Sequence, residues 1–149
     1  MPPARTVVVA RPRARVYLAR AVRLLEAVDW ALGVQNADAA AGSAVHCGIA
    51  GADAFVIFHL GLRGNDTDHN AVVSLIARCS SPRKDAISRH LMALLTRKNE
   101  VEYEDRAVGM ADARELAQHA HRLLESVRTE LGDETRSAVD RRQPRHAKL

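Results

Sequence analysis

The chain has 149 residues, 47% of them hydrophobic and only 3% aromatic, which suits one domain whose helices pack through Ala, Leu and Val. Its formal net charge is +4, but the basic excess lies at the two ends, because residues 1–23 and 141–149 contain no acidic residue. The sequence lacks a run of 18 apolar residues, a secretory h-region and a Cys or His cluster with zinc-site spacing, so we expect a cytoplasmic protein without a membrane span, a metal or a cofactor.

The basic ends are candidates for contact with nucleic acid phosphates. The candidate contacts are Arg11, Arg13, Arg15, Arg141 and Arg142. The alternative is a pair of solvated termini. Tyr17 is the only aromatic residue among these charges, so a stacking platform for single strands is not expected. We predict a basic arm over residues 1–12, a helical domain over 13–131 and a basic, disordered tail over 132–149.

The first half of the chain predicts two helices. Only "TVVVA" at 6–10 suggests a strand, and it is too short to define a sheet. Apolar residues at spacings of three and four predict a helix over 13–32, and Asn36 is a credible N-cap for a second helix over 37–60. This second helix is apolar nearly all round, which predicts a central, buried position. Gly42, Gly48 and Gly51 would let a neighbouring helix approach closely, either in the same chain or across a dimer.

One carboxylate, Asp53, interrupts the most apolar helix. A buried, unpaired charge is costly, so Asp53 needs a partner. An arginine from a facing helix is the obvious candidate, and Arg97 is one. The alternative is that Asp53 faces a polar edge or a dimer seam.

The second half predicts a polar turn and three more helices. "RGNDTD" at 63–68 reads as the turn, and a short helix follows over 69–79. Ser81 and Pro82 then signal a helix start, and that helix should end near residue 98. The last helix runs from about 109 to 131, where Gly132 should stop it. The whole pattern predicts an all-α, antiparallel up-and-down bundle of four to five helices.

Histidines and loops give no sign of a standard active site. The seven histidines show no ligand spacing, so we expect structural or solvated roles for most of them. Neither a Walker-type loop nor a GxGxxG after a strand is present, and no nucleophile elbow is found. Chemistry, if any, must come from another cluster.

The stretch "LTRKNEVEYED" at 95–105 is that cluster. Arg97 and Lys98 fall near the predicted end of a helix, where cations interact favourably with the helix dipole, and this alone can explain them. Asn99 and Tyr103 are four residues apart and would share a face if the helix continues. The surrounding carboxylates keep the local surface acidic, which would repel RNA phosphates.

Several segments together resemble the HEPN domains of bacteria and archaea. "YLARAVRLLEAVDWAL" and "NADAAAGSAVHCGIAGADAFVIFHLGL" resemble the paired first helices of that family. An Asp-His pair, Asp68-His69, opens the third helix, "LMALLTRKNEVEY" resembles the stretch that holds the family's motif, and "DARELAQHAHRLLESVRTEL" resembles its last helix. The likeness covers about residues 13–131.

The resemblance implies a ribonuclease or binding function, but the sequence departs from the family's motif at one position. Active HEPN proteins are metal-independent ribonucleases whose Arg-x4–6-His motif lies in a cleft between two protomers, and many are toxins paired with a minimal nucleotidyltransferase antitoxin. Others are degenerate and serve as binding modules. Here Arg97 matches the arginine and Asn99 the nearby polar residue, but Tyr103 stands where the histidine is expected. A tyrosine with a pKa near 10 is a poor general base at neutral pH.

Three functions therefore remain open at the level of sequence. The first is a dimeric HEPN-like module with a degenerate Arg-x5-Tyr site, which binds a protein partner or nucleic acid in a toxin–antitoxin or defence-type system. The second is an RNA-cleaving toxin that uses Arg97, Asn99 and Tyr103, with Lys98 and Asp53 in support. The third is a nucleic-acid-binding protein that acts through its basic ends.

Overall fold

The computed structural model describes residues 5–65, 69–104 and 107–142, and the side chains of residues 5–65, 69–100 and 107–132. These residues form a helical bundle, which confirms the predicted all-α class. The helices are α1 (Ala14–Gly33), α2 (Ala37–Leu60), α3 (Asn70–Arg78), α4 (Lys84–Glu104) and α5 (Met110–Arg142). Two short strands, β1 (Thr6–Val8) and β2 (Leu62–Gly64), and a 3₁₀ turn (Arg11–Arg13) complete the described elements.

Helix α2 is the centre of the bundle, as its all-round apolar sequence predicts. It packs against α1 and α5 most extensively and also touches α3 and α4. Among the described residues it is the one helix long and apolar enough to cross a membrane, and 67% of its apolar window is buried inside the bundle. Such burial is what the core helix of a globular protein shows.

Two glycines let other helices reach the α2 backbone. A Cβ atom at Gly48 would overlap Cδ1 of Leu94, and one at Gly51 would lie 2.9 Å from Cδ2 of Leu123. The close approach predicted for these glycines therefore occurs within the chain, against α4 and α5. Gly42 has nothing within 4 Å of the equivalent position.

Local capping signals account for both ends of α2 and for the start of α4. The Asn36 side chain accepts a hydrogen bond from the Ala39 N–H at 3.1 Å, which confirms the predicted N-cap. Gly61 adopts φ 63° and ends the helix in the left-handed conformation that glycine permits. Before α4, the Arg83 N–H donates to the Ser81 hydroxyl, so Ser81 satisfies an otherwise orphaned amide as expected.

The structure differs from the sequence expectation at four places. "TVVVA" does contribute a strand, because residues 6–8 pair antiparallel with residues 62–64, inside what reads as a polar turn. Helix α3 covers only Asn70–Arg78, and helix α4 continues to Glu104 instead of ending near residue 98. Helix α5 continues past Gly132 to Arg142, so the predicted stop at that glycine is wrong. Of the Asp-His pair, Asp68 lies outside the described residues.

Both cysteines are free, buried thiols, as predicted. Burial, assisted by the charge of Asp29, raises the pKa of Cys47 to about 12, and burial raises that of Cys79 to about 11. Neither thiol forms the reactive thiolate at neutral pH, so these cysteines serve packing.

Candidate functional site

Arg97 lies in a carboxylate cluster between α4 and α5. Its guanidinium donates to Glu100 on the next turn of α4, at 3.1 Å, and to Asp112 on α5. Glu115, one turn further along α5, lies 3.6 Å from the same guanidinium. Three carboxylates therefore surround a single cation that is 30% exposed.

This environment decides what Arg97 can do chemically. The hydrogen bond with Glu100 and the charge of Asp112 raise the pKa of Arg97 above its usual value. The carboxylates already occupy the fork that would hold a phosphate in bidentate fashion. An RNA phosphate would have to displace Asp112 and Glu100 and also approach Glu115. Electrostatically, the site repels the ligand that a ribonuclease must bind.

The other residues of the predicted site do not gather around Arg97. Asn99 is exposed and lies two positions along the same continuous helix, so it points to a different side from Arg97. Lys98 is half-buried and already has an interaction partner. Tyr103 is part of α4, but its side chain lies outside the described ones, as do its flanking carboxylates. Within one protomer, Arg97 and Asn99 therefore do not form a common site.

Asp53 has different neighbours from those predicted. Burial raises its pKa to about 6, while the nearby charges of Arg63 and Arg20 oppose that rise. Arg97, by contrast, faces the carboxylates of α5, so the predicted Asp53–Arg97 pair is wrong. The reason is geometric, because Asp53 lies on the side of α2 that meets α1 and β2.

Those two arginines are held by an aromatic ring. The Arg20 guanidinium lies 5.2 Å from the centroid of the Tyr17 ring, and that of Arg63 lies 5.7 Å from it. Arg63 also donates a hydrogen bond to the Tyr17 hydroxyl at 3.1 Å. We call Tyr17, Arg20, Arg63 and Asp53 the tyrosine–arginine cluster. Strand pairing creates it, since β1 holds residues 62–64 against the start of the bundle.

The candidate nucleic-acid contacts of the N-terminal region lie on the surface. Arg11 and Arg13 are exposed on the 3₁₀ turn, and Arg15 is exposed in the first turn of α1. Arg15 has an interaction partner of its own. Arg141 and Arg142 belong to the end of α5, and their side chains lie outside the described ones.

Three histidine contacts connect helices across the bundle. His59 of α2 donates to Glu130 of α5 at 2.9 Å, and Arg83 donates to the other oxygen of that carboxylate at 3.0 Å. Burial alone would raise the pKa of Glu130, but hydrogen bonds from Ser81 and Arg83 outweigh it and hold the pKa below the usual range. The contact thus fixes the C-terminal end of α2 to α5 and to the start of α4.

The other two histidine contacts involve α5 as well. The Nδ1 atoms of His90 and His119 are 3.0 Å apart, so one of them must carry the proton that the two share. Burial and the neighbouring His119 lower the pKa of His90. His121 contacts Asp29 of α1 at 2.7 Å on the surface. No three His, Cys, Asp or Glu residues with described side chains are arranged to hold a metal ion.

Comparisons of the chain with protein-family models, with curated proteins and with solved structures give no match. The likeness to HEPN domains therefore rests on the sequence segments alone.

The sequence pointed to Arg97 but not to its partners, and it did not single out Arg20 or Arg63. A signal for Arg20 exists, because Tyr17 and Arg20 are three apart on a helix and must be neighbours. Arg63 has no such signal, since it reaches Tyr17 only through the pairing of two strands that are more than fifty residues apart in sequence.

Proposed function

We propose that this protein is a HEPN-like helical module that acts by binding and has no ribonuclease activity. The observation that carries the proposal is the neutralisation of Arg97 by Asp112 and Glu100, with Glu115 close by. Phosphate stabilisation needs a cation whose donors are available to the substrate. The replacement of the expected histidine by Tyr103 removes the second requirement, a group that exchanges protons near neutral pH.

The binding role is proposed to take the form that the HEPN resemblance implies. Two copies would form a cytoplasmic homodimer, and the partner would be a nucleotidyltransferase-type protein or a nucleic acid in a toxin–antitoxin or defence-type system. A degenerate Arg-x5-Tyr site is compatible with such a role, because binding does not require the site to move protons.

Incubation of the purified protein with RNA in the presence of EDTA tests the proposal. We expect no cleavage by the wild type beyond a mock-purified control. Cleavage that disappears in Arg97→Ala but persists in Arg114→Ala would overturn the proposal in favour of the RNA-cleaving toxin. Arg114 is the matched control because it is an exposed arginine on α5, outside the carboxylate cluster.

Light scattering tests the dimeric form of the proposed module. We expect the mass of two chains at micromolar concentration. The mass of one chain would rule out a cleft composed of two protomers and would leave a monomeric binding module.

A further inference from the structure

Arg20 and Arg63 differ from the other arginines that connect elements of the bundle. Arg97 is neutralised by carboxylates, and Arg83 forms an ion pair with Glu130. Neither Arg20 nor Arg63 makes an ion pair with any residue that the structure describes; both are held by the Tyr17 ring instead. Cation–π contact orients a guanidinium without cancelling its charge.

We propose that the tyrosine–arginine cluster is a binding site for the phosphodiester backbone of a nucleic acid strand, with Arg20 and Arg63 as the phosphate contacts and Tyr17 as the residue that positions both. The proposal rests on the binding role given above and names its partner. It places the contact on α1 and β2, away from Arg97.

The geometry of the two guanidiniums suits a chain of phosphates. Their distances of 5.2 and 5.7 Å from one ring centroid keep them no more than about 11 Å apart, close enough to contact neighbouring phosphates of one strand. Each guanidinium has five N–H donors, and the bond from Arg63 to the Tyr17 hydroxyl uses only one of them. Arg20 is exposed and Arg63 is half-buried, so a ligand can reach both from solvent.

A third arginine lies next to the residue that precedes β2. The Arg11 side chain passes beside Gly61, with Nε 3.7 Å from the position a Cβ would take there, and Gly61 immediately precedes β2. Arg63 follows within that strand, and Arg20 lies on α1. Several separate cations fit the repeated charges of a nucleic acid strand better than a single small anion does.

The type of cation also favours phosphodiesters over a lipid surface. Between the N-terminus and Arg83 the chain has arginines but no lysine, and the planar fork of arginine binds phosphate oxygens in pairs. Interfacial membrane binding relies on exposed Trp, Phe or Leu beside the basic residues. The exposed Trp30 lies near the C-terminal end of α1, more than two helical turns from Arg20. On β1 and at the start of α1 the exposed large apolar side chains are not Trp, Phe or Leu but valines, namely Val7, Val8 and Val16.

Asp53 sets the strength of the site. Its carboxylate interacts with the charges of both Arg20 and Arg63, and it lies partly buried in α2. When it is ionised, it reduces the positive potential that a phosphate meets. Replacing it with the uncharged isostere should therefore strengthen RNA binding, which is a gain that misfolding could not produce.

Fluorescence anisotropy with a labelled single-stranded RNA and the full chain tests the proposal, with far-UV circular dichroism to check folding. Each phosphate contact on a single strand contributes a slope of about 0.7 in log affinity against log salt, so losing two contacts should flatten the slope by about 1.4 and weaken binding roughly 20-fold at about 0.1 M salt. We expect this of Arg20→Gln/Arg63→Gln. The matched control, Arg114→Gln/Arg128→Gln, removes the same charge from exposed positions of α5 and should change affinity far less.

Two further variants sharpen the test. Asp53→Asn should bind RNA several-fold more tightly than the wild type at neutral pH. Asp38→Asn, which removes the same charge from the exposed first turn of α2, should change the affinity for RNA far less.

Three results would overturn the inference. The first is wild-type binding that the Arg20/Arg63 double variant retains or that the α5 control loses equally. The second is no RNA binding at all, including the case in which phosphatidylserine vesicles bind instead. The third is that poly-glutamate, at matched charge, displaces the labelled RNA as effectively as unlabelled RNA does. That result would indicate that the cluster binds acidic protein segments. These outcomes are distinct from a failure of the proposed function, which would appear as RNA cleavage in EDTA.

Discussion

Asp53→Asn should stabilise the protein at neutral pH, because the folded state holds this carboxylate at a cost. A pKa of about 6 in the fold, against 3.8 for an unperturbed aspartate, means that the folded chain binds the Asp53 proton more tightly than the unfolded chain does. The cost of ionisation is absent below pH 3.8, develops between there and pH 6, and is complete above that pH.

The size of this effect follows from the shift in pKa. At about 1.4 kcal/mol per unit, a rise from 3.8 to about 6 corresponds to an upper limit of about 3 kcal/mol. Asp53 keeps some solvent contact, and water screens part of the penalty, so we expect a gain of about 1–2 kcal/mol in the free energy of unfolding.

Urea unfolding, followed by circular dichroism at about pH 7.5 and again at about pH 4, measures this gain in the free energy of unfolding. The protein concentration is kept fixed, because dimerisation would otherwise shift the midpoint of the urea transition. The variant should exceed the wild type at the higher pH and match it at the lower one. Asp38→Asn is the control, since Asp38 is exposed in the first turn of the same helix and favourable to its dipole. That change should be neutral or slightly destabilising. A variant no more stable than the wild type at neutral pH, or a gain of equal size at both pH values, would refute the reasoning.

Three other changes have defined outcomes. Gly48→Ala should lower the free energy of unfolding by about 1–2 kcal/mol, because its Cβ would displace Cδ1 of the fully buried Leu94 and this repacking outweighs the helix propensity that alanine gains. Gly42→Ala, where the space is open, should raise the free energy of unfolding by up to about 1 kcal/mol in the same urea assay. Glu130→Gln should lower the free energy of unfolding by about 1 kcal/mol at neutral pH. Because the fold lowers the pKa of Glu130, the difference in stability between the variant and the wild type should disappear as the pH falls and the carboxylate becomes protonated. Burial and His119 lower the pKa of His90, so the folded state binds a proton there less readily than the unfolded chain, and the stability of the protein should fall as the pH drops below about 6.5. In thermal melts, His119→Gln should lose less stability over the same pH range, and a loss equal to that of the wild type would contradict the shared-proton contact.

Sequence signals specified the elements that depend on local chemistry. The limits of α2 follow from Asn36, whose side chain caps the helix, and from Gly61, which tolerates a positive φ at its end. The buried position of α2 follows from its lack of a polar face. The apolar stripe of α5, from Ala113 to Leu131, is buried as its periodicity predicts.

What the sequence could not supply are the contacts between distant segments. Which carboxylate meets Arg97 depends on the packing of α4 against α5, and Glu100, Asp112 and Glu115 were indistinguishable beforehand from their acidic neighbours. The strand at residues 62–64 carries no alternating pattern, so its pairing with residues 6–8 was not visible either. The candidate RNA site depends on that strand pairing, so the sequence indicates the basic ends as candidate contacts but not Arg63.

The pairing of β1 with β2 also has a consequence for the order in which the chain can fold. Once residue 64 has left the ribosome, the two strands can close a unit that contains α1 and α2, whose contact is the most extensive in the bundle. The opposite side of α2, where Gly48 and Gly51 receive Leu94 and Leu123, stays uncovered until α4 and α5 have been synthesised. A nascent chain of this protein thus presents its most apolar helix half-covered for the time needed to make some sixty more residues, at about 5–20 residues per second. During that interval a chaperone could bind the uncovered side of α2.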